Sequence, residues 1–182
     1  MAAGANLQAA LTPLGSAALH IAAFDGKVEL ASMLVKEGAP VDLRRASEGL
    51  DTPMILACQN GHTEVVELLV SAGASIHAPD DFGATPLFIA SKNGSVSIVK
   101  RLIELKAGVN TVAHGLRNNA PLAAAAYMGH AAVVQTLLKS GARPELKCED
   151  KQTAEDHAKR EGHQKIVDIL RTHHAFHASP HA

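Results

Sequence analysis

A glycine recurs along this chain at intervals of 33 to 35 residues, and this period constrains the fold more than any other feature. Histidine follows the glycine in three of its five occurrences, and the five markers are Gly26, Gly61, Gly94, Gly129 and Gly162. A fixed period of this length is typical of repeat proteins, in which each repeat buries its apolar face only by stacking on its neighbours. The chain of 182 residues is therefore predicted to form a short array of repeats.

A signal for the start of a helix stands nine residues before each marker glycine. In the second and third repeats the signal is Thr52-Pro53 and Thr85-Pro86. A threonine hydroxyl can accept a hydrogen bond from a free N–H group of the first turn, and proline at the first helical position loses no hydrogen bond. Small residues such as Ala124-Ala125-Ala126 follow the signal, so we predict a short helix that neighbouring helices can approach closely.

A second helix is predicted after each marker glycine. Its apolar residues follow the i, i+3, i+4 spacing of one helical face, as in Val65, Val66 and Leu69. One repeat cannot bury this stripe alone, so the repeats must stack. The helix is expected to end at a Gly-Ala pair, because glycine suits the left-handed residue that closes a helix. These pairs are Gly38-Ala39, Gly73-Ala74 and Gly141-Ala142.

From residue 15 to about residue 172 the pattern resembles the ankyrin repeat, which consists of a β-turn finger, two antiparallel helices and a connecting loop. The resemblance implies an all-α solenoid of stacked helix–turn–helix units with β-turn fingers. It divides the chain into an N-terminal cap or tail of a preceding repeat (1–14), four repeats (15–46, 47–79, 80–114 and 115–147), a C-terminal capping repeat (148–173) and a disordered histidine-rich tail (174–182).

Two features depart from this pattern inside the array. The segments Leu43–Asp51 and Thr111–Asn119 are two residues longer than the other inter-repeat segments, and we expect them to form extended fingers. Lys106 stands where the sibling repeats have the closing glycine. Either this lysine adopts the left-handed conformation at a cost of about 1 kcal/mol, or the third repeat ends its helix elsewhere.

The two ends also differ from the internal repeats. Glu155, Lys159 and Arg171 replace apolar or small residues, as expected for a terminal repeat with no neighbour on one side. Gly4-Ala5-Asn6-Leu7 has the phase of an inter-repeat segment, so residues 1–14 are either the end of a preceding repeat or a local cap. Four histidines lie near the C-terminus and admit a transition-metal site, but their spacing matches no closed site and favours a solvated tail; they are His173, His174, His177 and His181.

The sequence contains none of the common catalytic signatures, namely GxSxG, HExxH, a Walker loop or GxGxxG. We therefore expect no enzymatic activity, no cofactor and no small-molecule substrate. Four histidines fall at positions where ankyrin repeats often have histidine, which implies that they bond to the adjacent loop and order the stack; they are His20, His62, His130 and His163.

Charge, hydropathy and cysteine content indicate which ligands and which cellular compartment to expect for the chain. The formal net charge of −1 lacks the basic excess of a non-specific nucleic-acid binder, and no apolar window is long enough to predict a membrane span. Cys58 and Cys148 are far apart, which indicates free thiols in a reducing, cytoplasmic or nuclear compartment. Cys58 is expected to pack as a small hydrophobe, whereas Cys148 lies in a loop and would be reactive if exposed.

Two classes of function remain. The ankyrin resemblance implies a non-catalytic scaffold that binds another protein as an adaptor, inhibitor or regulatory subunit. The alternative is a targeting or substrate-recognition module of a larger multidomain protein whose activity lies elsewhere. A third, weaker hypothesis is nucleic-acid association through Arg44, Arg45 and Arg117, which would require strongly salt-dependent binding.

In the ankyrin family the partner side is the concave surface, formed by the fingers and by the exposed ends of the first helices. By register, the corresponding helix positions are Phe24, Asp25, Gln59, Asn60, Lys92, Asn93, Tyr127, Met128, Arg160 and Glu161. The finger positions are Arg44, Arg45, Asp81, Phe82, Leu116 and Arg117.

Three aromatic residues of this surface, Phe24, Phe82 and Tyr127, are the expected anchors, because aromatics and arginine are frequent interface hot spots. The three finger arginines would then tune the orientation and association rate of the partner. The alternative is that Phe24 and Tyr127 pack against the neighbouring finger and serve only the stack.

Overall fold

The computed structural model describes residues 14–44, 51–114 and 119–177, and within these ranges it contains ten helices and no strand. The helices form five pairs, each joined by a short turn at a marker glycine. They are α1 (Leu14–Asp25), α2 (Val28–Lys36), α3 (Pro53–Asn60), α4 (Thr63–Ser71), α5 (Pro86–Lys92), α6 (Val96–Glu104), α7 (Pro121–Tyr127), α8 (Ala131–Lys139), α9 (Ala154–Arg160) and α10 (Gln164–His177).

Each first helix packs on the first helix of the next repeat, and each second helix packs on the next second helix. This arrangement confirms the predicted all-α solenoid. Small side chains permit the close approach of the first helices, since Ala123 to Ala126 of α7 are all buried. The second helices contribute larger aliphatic side chains to the same core, including Leu69, Leu102 and Leu137.

The helix starts follow from the predicted caps. Thr52 is extended, and its Oγ1 accepts a hydrogen bond from the Ile55 N–H over 3.3 Å, while Pro53 occupies the first helical position. Thr85 caps α5 in the same way. Thr153 forms a reciprocal capping box with Asp156, whose carboxylate accepts a hydrogen bond from the Thr153 N–H over 3.0 Å. The starts of these first helices are therefore fixed by capping side chains that were predictable from the sequence.

Lys106 resolves the question that the sequence leaves open in the third repeat. Its φ is +69°, and its N–H donates to the Ile103 carbonyl, as the N–H of Gly38 does to Val35 in the first repeat. Gly38 has a φ of +85°. The third helix pair thus ends in phase with its siblings, and a lysine side chain occupies a backbone conformation that favours glycine.

The last helix is longer than the sequence indicates. We expected a disordered tail from residue 174, but α10 continues through His177, so the capping repeat extends at least four residues further. Glu155 accepts hydrogen bonds from Lys159 over 2.8 Å and from Arg171 over 2.9 Å, which agrees with a polar capping repeat. The predictions for residues 1–13 and 178–182, and for residues 45–50 and 115–118 of the two long fingers, lie outside the described residues.

Candidate functional site

Histidines of one repeat bond to the end of the first helix in the repeat before it. The Nε2 atom of His62 lies 2.9 Å from the Phe24 carbonyl oxygen, and that of His130 lies 3.0 Å from the Lys92 carbonyl oxygen. His163 makes the same contact with Tyr127 over 3.0 Å. His20 bonds to the Asp51 carbonyl in the adjacent finger, also over 3.0 Å. These bonds confirm the structural role expected for the four histidines.

The third repeat lacks this histidine, and a different side chain supplies the bond. Ser95 stands at the histidine position, and the Nδ2 atom of Asn93 donates to the Gln59 carbonyl over 2.9 Å. The Asn93 amide, which was predicted to face a partner, therefore links repeats two and three. The repeat period could not reveal that Asn93 replaces the histidine in this bond, because Asn93 lies two residues before the histidine position.

These bonds align the ends of the first helices in one row, and most side chains of the row face solvent. Phe24 is 48% exposed and Met128 is 41% exposed. Lys92 and Tyr127 are half-buried. The other predicted side chains of the row are exposed, namely Asp25, Gln59, Asn60, Asn93, Arg160 and Glu161. The structure thus brings these ten helix positions together along the stack.

The finger of the third repeat presents Asp81 and Phe82. The Asp80 carboxylate accepts hydrogen bonds from the N–H groups of Phe82 over 2.9 Å and Ala84 over 2.8 Å, which fixes this turn. The Phe82 carbonyl accepts a bond from the His114 N–H in the next finger over 2.9 Å, while the Phe82 side chain is 54% exposed. Arg44 is exposed as well, whereas Arg45, Leu116 and Arg117 lie outside the described residues.

Tyr127 and Arg160 contact each other across the fourth and fifth repeats. The Arg160 guanidinium lies 5.5 Å from the centre of the Tyr127 ring, and the His157 ring meets Tyr127 edge-on at 6.1 Å. Arg160 also donates to Gln152 over 3.2 Å and to Glu161 over 3.1 Å. These contacts support the alternative interpretation for Tyr127, in which it packs within the stack, although its neighbour is a helix and not a finger.

The junction beneath Tyr127 contains buried polar groups. His157 is fully buried, and burial lowers the pKa of its imidazole even though the Asp150 carboxylate lies 3.7 Å from its Nε2 atom. Among the described residues, neither the Nε2 atom of His157 nor the Oδ2 atom of Asp150 has a hydrogen-bond partner. Both polar atoms of the buried Asn119 side chain likewise find none in the described part of the chain. Unsatisfied buried groups of this kind cost stability.

Both cysteines are buried free thiols. Burial raises the pKa of Cys58, as expected for a thiol that packs as a small hydrophobe. Burial also raises the pKa of Cys148, which favours the neutral thiol over the reactive thiolate in spite of the loop position. Among the described residues, no group of three His, Cys, Asp or Glu side chains is arranged to hold a metal ion, and no helix there has the length and apolar character to cross a membrane.

Comparison with known proteins agrees with the geometry. The chain matches the family model described as Ankyrin repeats (3 copies) over residues 2–80 and 87–180, and a second model, Ankyrin repeats (many copies), over residues 60–103. It is similar to human Protein phosphatase 1 regulatory subunit 27, with 39% identity over 75 residues, which cover 41% of this chain and 47% of the relative.

Two longer proteins are also similar. The Ankyrin repeat and KH domain-containing protein mask of Drosophila melanogaster is 40% identical over 68 residues, covering 37% of this chain and 2% of that protein. The Probable E3 ubiquitin-protein ligase XBOS32 of Oryza sativa subsp. japonica is 39% identical over 62 residues, covering 34% of this chain and 12% of that protein. The aligned segments span less than half of each relative. The family matches cover most of the chain, which therefore belongs to the ankyrin-repeat family.

Proposed function

We propose that this chain is a non-catalytic scaffold that binds a protein partner on the concave row of first-helix ends and fingers. The observation that carries the proposal is the exposure of large apolar side chains on this row. Phe24, Phe82 and Met128 are each more than 40% exposed. Exposed aromatic side chains that are clustered on one surface are typical of binding sites, and a central aromatic anchor contributes about 2 kcal/mol or more.

The contacts within the stack refine the expected set of anchors. Tyr127 is held by Arg160 and His157, whereas no ring contact or hydrogen bond involves the Phe24 side chain among the described residues. Phe24 and Phe82 are therefore the stronger candidates, with Met128 as an adaptable apolar contact. Exposed Asp25, Asp81 and Arg44 provide charges of both signs around them, which would orient a partner and influence its association rate.

The names of the relatives suggest a first partner to test. One relative is a regulatory subunit of protein phosphatase 1, so the purified catalytic subunit of that enzyme is a specific candidate. The similarity to segments of long multidomain proteins supports the alternative that this array is a recognition module. Both hypotheses require the same concave surface, and they differ in whether the native polypeptide contains further domains.

The experiment combines capture and affinity measurement. The chain and its Phe24→Ala/Phe82→Ala variant are used in parallel to capture proteins from native cell extract, and calorimetry then measures the affinity of each identified partner, including the phosphatase subunit. The control is Met33→Ala, since Met33 is 64% exposed but lies on the second helix α2. We expect the double phenylalanine variant to lose at least about 30-fold in affinity with an unchanged melting temperature. Equal affinity for all variants would contradict the concave assignment.

A further inference from the structure

A groove of about 800 Å³ lies on the opposite side of the array from the first-helix ends, between the second helices α8 and α10. Leu138 and Ile169 provide its apolar floor, and Lys139, Lys165 and His173 stand around it. Leu138 is largely buried and Ile169 is half-buried. We call this space the 4–5 groove, because it separates the second helices of the fourth and fifth repeats.

The equivalent position between repeats two and three is closed by an ion pair. Nε of Arg101 on α6 lies 2.9 Å from a carboxylate oxygen of Glu67 on α4. Glu67 stands six residues after its marker glycine and Arg101 stands seven after its own. At the same offsets, the fourth and fifth repeats have Gln135 and Ile169, which line the groove without forming an ion pair. The 4–5 groove therefore has an amide and an aliphatic side chain where repeats two and three have an ion pair.

The longer last helix contributes one side chain to the groove. α8 ends at Lys139, ten residues after its marker glycine, whereas α10 continues five residues past the equivalent position, Thr172. His173 is the first residue of this extension and forms part of the wall. The lining residues of α10 run from Lys165 to His173, which is about 12 Å along the helix axis, so the wall can accompany about two turns of a docked helix.

The charges around the 4–5 groove are predominantly basic. Neither Lys139 nor Lys165 forms an ion pair with any residue in the described part of the chain. The one carboxylate of the lining, Asp168, accepts a hydrogen bond from the Gln164 side chain over 2.8 Å. An apolar floor flanked by two unpaired lysines is complementary to a helix that carries aliphatic residues on one face and carboxylates beside them.

We propose that the 4–5 groove binds an acidic amphipathic helix of a protein partner, whose aliphatic side chains cover Leu138 and Ile169 and whose carboxylates meet Lys139 and Lys165. The site goes beyond the concave surface, because it uses the second helices and none of the residues proposed there. An experiment can therefore contradict binding at one of the two surfaces without contradicting binding at the other.

The test uses a fluorescent synthetic 16-residue peptide of leucine and glutamate, with leucine at i, i+3 and i+4 positions, titrated with the chain at low salt. The key variant is Gln135→Glu/Ile169→Arg, which rebuilds the ion pair of repeats two and three and so should close the groove without unfolding it. We expect this variant to bind the peptide at least tenfold more weakly at an unchanged melting temperature. Should it unfold, Lys139→Glu/Lys165→Glu provides the same test, since both lysines are exposed.

Two controls test whether binding depends on the charge of the peptide and whether it takes place at the 4–5 groove. A matched peptide with lysine in place of every glutamate should bind at least tenfold more weakly to the natural chain, and Phe24→Ala should bind the acidic peptide as the natural chain does. Absence of binding, equal binding by the folded variant, or equal binding of the basic peptide would overturn the proposal. Loss of binding in Phe24→Ala would also overturn it, because the peptide would then occupy the concave surface.

Discussion

A marker glycine of one repeat lies against the histidine of the next repeat. A Cβ atom added at Gly94 would lie 2.6 Å from Nδ1 of His130, and the φ of Gly94 is +76°. The marker glycine therefore leaves room for the histidine of the next repeat while its backbone turns between two helices. The period of the sequence predicts where the glycines and histidines recur, and the structure adds that they are in contact. The period does not predict Asn93, which takes over the bond from another position, or the burial of Cys148, which depends on how two fingers meet.

Lys106 gives a prediction at the scale of one residue. Lys106→Gly should raise the free energy of unfolding by up to about 1 kcal/mol, because the lysine has a φ of +69° where Gly73 of the second repeat has +83°. Urea unfolding followed by circular dichroism measures the gain. Lys106→Ala is the control and should gain little, since alanine retains the Cβ atom. Equal stability of the glycine and alanine variants would show that left-handed strain is not the cause.

The helices were predictable as elements because each has its own start signal and apolar stripe. The end of α10 was not, because the residues after Leu170 contain histidines and no apolar stripe that would predict a longer helix. The 4–5 groove was also not predictable, since it depends on which side chains cross between two helices. Arg101 and Glu67 cross, whereas Gln135 and Ile169 do not.

The start of α7 gives a prediction at the scale of an element. Ala120 occupies the cap position and makes no side-chain hydrogen bond, whereas Thr52 and Thr85 cap their helices. Ala120→Ser should stabilise the array by about 0.5–1 kcal/mol, because the serine hydroxyl can accept a bond from a free N–H of the first turn. The urea midpoint measures this, and Ala120→Val serves as a control without a hydroxyl. A serine variant no more stable than the valine variant would contradict the capping argument.

The array as a whole is a linear stack, in which each repeat is stabilised mainly by its neighbours. Its last repeat is covered by polar side chains such as Glu155 and Arg171. The first repeat instead exposes Ile21 and Leu30, although the residues in register with them in the second repeat, Leu56 and Val65, are buried. The two ends therefore differ in character, and stability is not expected to be uniform along the stack.

The junction of the last two repeats makes the array sensitive to pH. Burial lowers the pKa of His157 below its ordinary value of 6.5, and the groups that face it are Tyr127, Asp150, Asp156, Arg160 and Glu161. The unfolded chain gains a proton below about pH 6.5 that the folded chain resists. The contribution of His157 to the free energy of unfolding should therefore be complete above pH 6.5, and the free energy of unfolding should fall as the pH is lowered toward 5.

Urea unfolding at several pH values measures this effect, with His157→Leu as the control because Leu56 stands at the same position of the second repeat. The variant should lose less stability between pH 7 and pH 5. Glu155, whose pKa is lowered chiefly by the hydrogen bond with Lys159, keeps its stabilising contribution throughout this window and loses it only below its ordinary pKa of 4.5. Equal slopes for the two proteins in this window would contradict a role for His157.

Hydrogen–deuterium exchange of the partner complex tests the central claim, that the first-helix ends and fingers form the binding surface. Exchange at each peptide amide is compared between the free chain and the chain saturated with its captured partner. We expect the partner to slow exchange around residues 24–25, 59–60, 81–82, 92–93 and 127–128, and to leave exchange in α4 and α6 unchanged. Slowed exchange confined to the second helices, with these positions unaffected, would contradict it.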